Sequence, residues 1–213
     1  MYTFHWERVP TMQEVPLTPE TLVRAILARQ PAGAYQRRLV KLAFLAEVAY
    51  AAETTQRLST ASYIRDHYGP YSSDLVHAAL SLPTSQVECE TDASPLDPEV
   101  ESVKFIPTAS CRPNLSKKRD DFLDGFMASH GRERTQDLVD EARRTTLYLG
   151  AAFKEPLDFD QWLNCVALAK SDPVYISSVQ EATTGGAAHR FNNIIEVREH
   201  LRSLRSPNGP ITG

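Results

Sequence analysis

The chain has 213 residues, 42% of them apolar and 23% charged, and a net charge of −4 from 23 basic and 27 acidic side chains. This length suits one sizeable core, or one domain with an extension, and the composition excludes a disordered or fibrous chain. No apolar run reaches the roughly 20 residues of a membrane helix, and the acidic balance gives no general reason to bind nucleic acid or an anionic membrane.

The opening residues, Met1-Tyr2-Thr3-Phe4-His5-Trp6-Glu7-Arg8, lack a basic stretch followed by an apolar core, so no secretion signal is expected. Thr18-Pro19-Glu20 starts the first helix with a capping hydroxyl, a proline at the first helical position and an acid in the first turn. Leu22, Val23, Ile26 and Leu27 then recur at helical spacing. The spacing predicts a second helix over 35–53. Leu39, Leu42, Ala43, Ala46, Ala49 and Tyr50 form its stripe, widened by Phe44, Leu45 and Val48. A helix apolar on most of its circumference is expected at the centre of the core.

Residues 60–68 are rich in strand-compatible types, and Gly69-Pro70 is expected to end that run. Ser72 caps the next helix, whose buried face is Leu75, Val76, Ala79 and Leu80. Between 84 and 101 stand Glu88, Glu90, Asp92, Asp97, Glu99 and Glu101 without a single Lys or Arg. Val87 and Val103-Lys104-Phe105-Ile106 are expected to pair across this acidic stretch as a hairpin. Ser116 caps a helix with Phe122, Leu123, Phe126 and Met127 on one face. Leu138, Ala142, Thr145, Leu149 and Ala152 predict one long helix from Thr135, and Asp158 caps another carrying Trp162, Leu163, Val166 and Ala167. Thr183 to Ala188 reads as a hinge, followed by a terminal helix with Ile194, Val197, Leu201 and Leu204 on one face.

Catalytic and ligand signatures are sparse. The six histidines include no HExxH and no pair within one helical turn, and Cys89, Cys111 and Cys165 form no CxxC. No metal and no cofactor are expected, and the three cysteines read as free thiols of a reducing cytoplasm. Ser73 and His77 are four apart, but Ser73 stands where a helix begins and no oxyanion hole or nucleophile elbow accompanies it. Asp120, Asp121 and Asp124 complement the start of their helix. Arg37-Arg38-Lys41, Lys117-Lys118-Arg119 and Arg143-Arg144 read as solvated helix faces rather than a nucleic-acid platform. Nothing here predicts an enzyme.

The ordered set Lys41-Leu42, Phe44-Leu45, Tyr50, Tyr68-Gly69-Pro70, Ser72 and Leu75 resembles the Panacea-domain, or SocA-like, antitoxin family. Members often carry a Thr-His pair in a later helix, where this chain reads Arg143-Arg144-Thr145-Thr146. The resemblance covers the part of the chain before about Pro156. It implies a bacterial or phage antitoxin that neutralises a cognate toxin by direct binding, including toxins that inhibit translation in the manner of alarmone synthetases. A proteolytic adaptor that delivers its client toxin to a protease, and a DNA-binding autorepressor, are the alternatives.

The reading is therefore a mainly α compact multi-helix domain with a small antiparallel β element. Residues 1–155 form the Panacea-like domain, and 156–213 a helical continuation or extension with a hinge near 183–188 and a C-terminal amphipathic helix. The expected partner is the toxin, with a protease or a second copy within the toxin complex left open, and neither nucleic acid nor membrane. Tyr63, Arg65, Tyr68 and Tyr71 are the expected exposed contact surface at the Tyr-Gly-Pro turn. Ile194, Val197, Leu201 and Leu204 are the expected second one.

Overall fold

The structure is a computed structural model that describes residues 14–94 and 97–171. The expected hinge and the helix bearing Ile194, Val197, Leu201 and Leu204 lie outside these residues. The described residues form seven helices and two small antiparallel sheets, a mainly helical fold. Helix α1 (Pro19–Leu27) begins as its sequence dictates, with the Thr18 side chain accepting the Thr21 N–H at 3.2 Å. It leads through β1 (Ala34–Tyr35) into α2 (Gln36–Thr54), the centre of the core.

Every residue from Leu39 to Val48 in α2 is buried, including the charged Lys41 and Glu47. A buried charge is tolerated only when its hydrogen bonds are made. The Glu47 carboxylate accepts the N–H groups of Leu58 at 3.0 Å and Ser59 at 2.8 Å, and the Ser59 hydroxyl. Arg57 lies 3.5 Å away as its counter-charge. Glu47 thus ties the chain leaving α2 back onto its own helix.

Beyond that tie come β2 (Ile64–Asp66) and β3 (Gly69–Tyr71), an antiparallel pair with Arg65 opposite Pro70. Gly69-Pro70 was expected to end the extended run, whereas it forms the second strand of a hairpin. The proline is tolerated because β3 pairs on one side only, where a missing N–H costs the ladder little. On the other flank of β2 runs the segment 154–157. Lys154 N–H donates to Arg65 O at 2.8 Å, Arg65 N–H to Glu155 O at 2.9 Å, and Leu157 N–H to Tyr63 O at 2.8 Å.

Helix α3 (Ser73–Ser81) is capped by Ser72, but Leu80, expected on its buried face, is exposed. The acidic stretch folds as the expected hairpin of β4 (Val87–Ser94) and β5 (Asp97–Pro107), with Cys89 opposite Phe105 and β1 on the far side of β5. Val87 and Phe105 turn into the core, while Glu88, Glu90 and Asp92 face solvent. Helix α4 (Lys117–His130) starts at its Ser116 cap. Its Asp120 complements the dipole, and Asp120 and Asp124 bind Arg29 at 2.5 and 2.6 Å, which draws α4 onto the end of α1.

The expected long helix from Thr135 is two. Helix α5 (Thr135–Arg144) stops at Thr145, which has extended backbone angles and caps α6 (Thr146–Gly150). The Thr145 hydroxyl donates to Ala142 O at 2.8 Å and accepts the Tyr148 N–H at 3.3 Å, so one side chain closes the first helix and opens the second. Leu149, in phase with the buried stripe of an unbroken helix, is consequently exposed. Helix α7 (Phe159–Ser171) follows the Asp158 cap. Phe159 packs against Phe44 and Tyr63 at ring distances of 6.1 and 5.7 Å, and Trp162 donates to Thr146 at 3.0 Å. The start of α7 shares the core of the elements before it.

Candidate functional site

Arg37 and Lys41 are four residues apart, one turn along the same face of α2. The β2–β3 hairpin lies over that face. Lys41 is only 3% exposed, and its Nζ donates to Pro70 O at 2.5 Å. Burial pushes its ammonium down from 10.5 to about 7, with Arg37 and Arg143 acting in the same direction and Asp66 opposing them. The solvated helix face expected around Lys41 is therefore a buried support for the Gly69-Pro70 backbone. Gly69 is required here because its φ is +84°, a region that side chains disfavour. A Cβ at that position would also stand 3.2 Å from Lys41 Cε. Lys41 and the Gly69-Pro70 backbone are thus in physical contact.

The hairpin tip is held from several directions. Arg143 of α5 donates to the His67 carbonyl, and Tyr148 of α6 donates to the Asp66 carbonyl at 2.7 Å. Lys154 binds the Asp66 carboxylate at 2.7 Å. That hydrogen bond, with a backbone N–H from His67, keeps the Asp66 carboxyl below its usual range against the opposing effect of burial. What projects outward is aromatic. Tyr68 is 64% exposed with the Arg37 guanidinium 4.9 Å from its ring centre. Beside it, the exposed rings of His67 and Phe153 lie 4.2 Å apart. Arg37, Arg143 and Lys154 give the tip a basic character, in contrast with the acidic β4–β5 hairpin.

Of the four residues expected to be exposed at this turn, Tyr68 alone is. Tyr63 is 1% exposed and lies in the aromatic core, its ring 5.3 Å from Phe44. Arg65 is half-buried: it donates to Ala151 O at 2.6 Å and covers the Tyr148 ring at 4.9 Å, so it braces the hairpin from behind. Tyr71 is half-buried against the core. Tyr68 stands in the turn beyond both strands, whereas Arg65 and Tyr71 lie within β2 and β3 and pack on the body of the fold.

Arg37, His67, Phe153, Arg143 and Lys154 join Tyr68 without having been singled out as one surface. Arg37 and Arg143 had a signal as basic clusters. Phe153 and Lys154 had none, because they reach the tip from a loop more than 80 residues along the chain. Groups with metal-ligand chemistry lie apart from this site, at the turn between α4 and α5. Comparison of the chain with family models, curated proteins and solved structures finds no match.

Proposed function

We propose that the protein is an antitoxin that neutralises a cognate toxin by direct contact through the hairpin tip. The observation that carries this reading is Tyr68, largely exposed, stacked under Arg37 and set on a backbone braced by a buried lysine. Tyrosine, other aromatics and arginine dominate the energetics of protein contacts, and a braced tip loses little conformational freedom on binding. The resemblance carried by Lys41, Tyr68, Gly69 and Pro70 supports the same function, since those residues build this tip. The exposed Glu88, Glu90 and Asp92 supply a negative field suited to steering a basic patch of an RNA- or nucleotide-handling toxin, while the basic tip calls for a neutral or acidic contact on it. The protein acts in the cytoplasm, as a stoichiometric binder and not as an enzyme.

The experiment is a growth assay in which the chain is co-expressed with the toxic product of its neighbouring gene. Tyr68→Ala and Arg37→Ala are expected to abolish protection with little change in the thermal melt, each losing about 2 kcal/mol or more of binding, roughly thirtyfold. Arg65→Ala is expected to lower the melt instead, because its guanidinium holds the Ala151 carbonyl. Full protection by both surface variants would refute this use of the tip. Toxin levels that fall when the chain is expressed, and only in protease-proficient cells, would favour the adaptor reading.

A further inference from the structure

The turn between α4 and α5 gathers three side chains that the hairpin site does not use. His130 is the last residue of α4, Glu133 lies in the link, and Glu141 is within α5. One ligand atom from each lies within 4.8 Å of the other two, and all three residues are half-buried.

The histidine is oriented. Its Nδ1 is 3.1 Å from the Phe126 carbonyl oxygen, which can only accept, so Nδ1 carries the proton. The ring stacks on Phe126 at 4.4 Å, with 13° between the planes. Nε2 is left facing the carboxylates, 3.4 Å from Glu141 Oε1. With Nδ1 protonated, a neutral ring directs a lone pair at that oxygen, so the arrangement calls for a second proton or for a cation.

The distance fits a cation. Two ligands of a tetrahedral zinc ion, with bonds of about 2.1 Å, stand roughly 3.4 Å apart. A backbone carbonyl on the other ring nitrogen is also the usual outer partner of a metal-bound histidine. The neighbouring guanidinium groups direct their hydrogen bonds to other acceptors, although the Arg38 charge also acts on the Glu133 carboxyl. Arg38 donates to the carbonyls of Gly131 at 2.7 Å and Glu133 at 2.5 Å, and Arg134 forms an ion pair with Asp137 at 2.9 Å.

We propose that His130, Glu133 and Glu141 form a zinc site, completed by water, that clamps α4 to α5. Nitrogen and carboxylate ligands in this number suit Zn²⁺ ahead of Mg²⁺ or Ca²⁺, which prefer oxygen alone. Because Arg143 follows Glu141 on α5 and reaches the His67 carbonyl, the clamp also steadies one of the supports of the hairpin tip.

Titration calorimetry of the full chain with zinc chloride tests this. Exposed thiols such as those of Cys89 and Cys165 are zinc ligands by their chemistry, so the measurement uses a Cys89→Ser, Cys165→Ser background. One zinc per chain is expected. Uptake should be lost in His130→Ala and weakened at least about tenfold in Glu141→Gln and Glu133→Gln. Occupancy should also raise the thermal midpoint in proportion to the logarithm of free zinc. No uptake at micromolar zinc, or uptake unchanged by His130→Ala and Glu141→Gln, would overturn the proposal. Should His130→Ala fail to fold, the two glutamine variants decide alone.

Discussion

Replacing Lys41 by methionine removes the ammonium and keeps an unbranched apolar stem in its place. In the folded protein burial brings the lysine to about 7, against 10.5 in the open chain. Between those values the unfolded state holds a proton that the folded state has released, so raising the pH favours folding. The whole displacement corresponds to on the order of 5 kcal/mol, gained as pH rises from about 7 toward 10.5. Below pH 7 both states carry the proton and the contribution is flat. The neutral amine still donates to Pro70 O, so the hydrogen bond persists throughout the window.

Lys41→Met leaves that carbonyl without its donor, a cost of about 1–3 kcal/mol that does not depend on pH. The measurement is urea unfolding of both proteins at pH 6.5, 7.5, 8.5 and 9.5. Other titrating groups are common to the pair and cancel in the difference. The stability of wild type relative to the variant should rise by about 1.3 kcal/mol per pH unit around pH 8–9 and level off below pH 7. A difference that stays constant from pH 6.5 to 9.5 would refute the reasoning, since it would mean that the ammonium is solvated and the hairpin does not bury it.

Glu47→Ala orphans two backbone N–H groups and leaves Arg57 without its counter-charge, and should cost about 3 kcal/mol or more in denaturant unfolding at pH 7. Gly69→Ala forces a side chain into the left-handed region and toward Lys41, so a loss of about 1–2 kcal/mol is expected by the same measurement. Thr145→Ala removes the cap of α6, with an expected loss of about 1 kcal/mol, whereas Thr145→Ser should retain most of it.

Local instructions were legible. Thr18, Ser72, Ser116 and Asp158 each cap a helix by accepting an N–H three residues on, so the cap and its target sit within one short stretch of text. The breadth of the α2 stripe announced a helix buried on several sides, and the apolar ends of the acidic stretch announced their pairing. Thr145 shows where such reading fails. Its spacing continues a helical stripe, yet its hydroxyl is equally able to cap, and the bond of Tyr148 to Asp66 favours the broken form by holding α6 against the hairpin.

The sequence by itself therefore determined most of the helices, the starts that carry a capping side chain and the central place of α2, because periodicity and capping act over three or four residues. Tertiary structure decided what each polar side chain would do. Tyr63 and Tyr68 are the same residue type five positions apart, but one meets Phe44 and Phe159 in the core while the other meets Arg37 and solvent. Lys41 is a surface lysine until β3 folds over it. Burial and pairing are set by partners that arrive from distant parts of the chain, and no local pattern encodes their arrival.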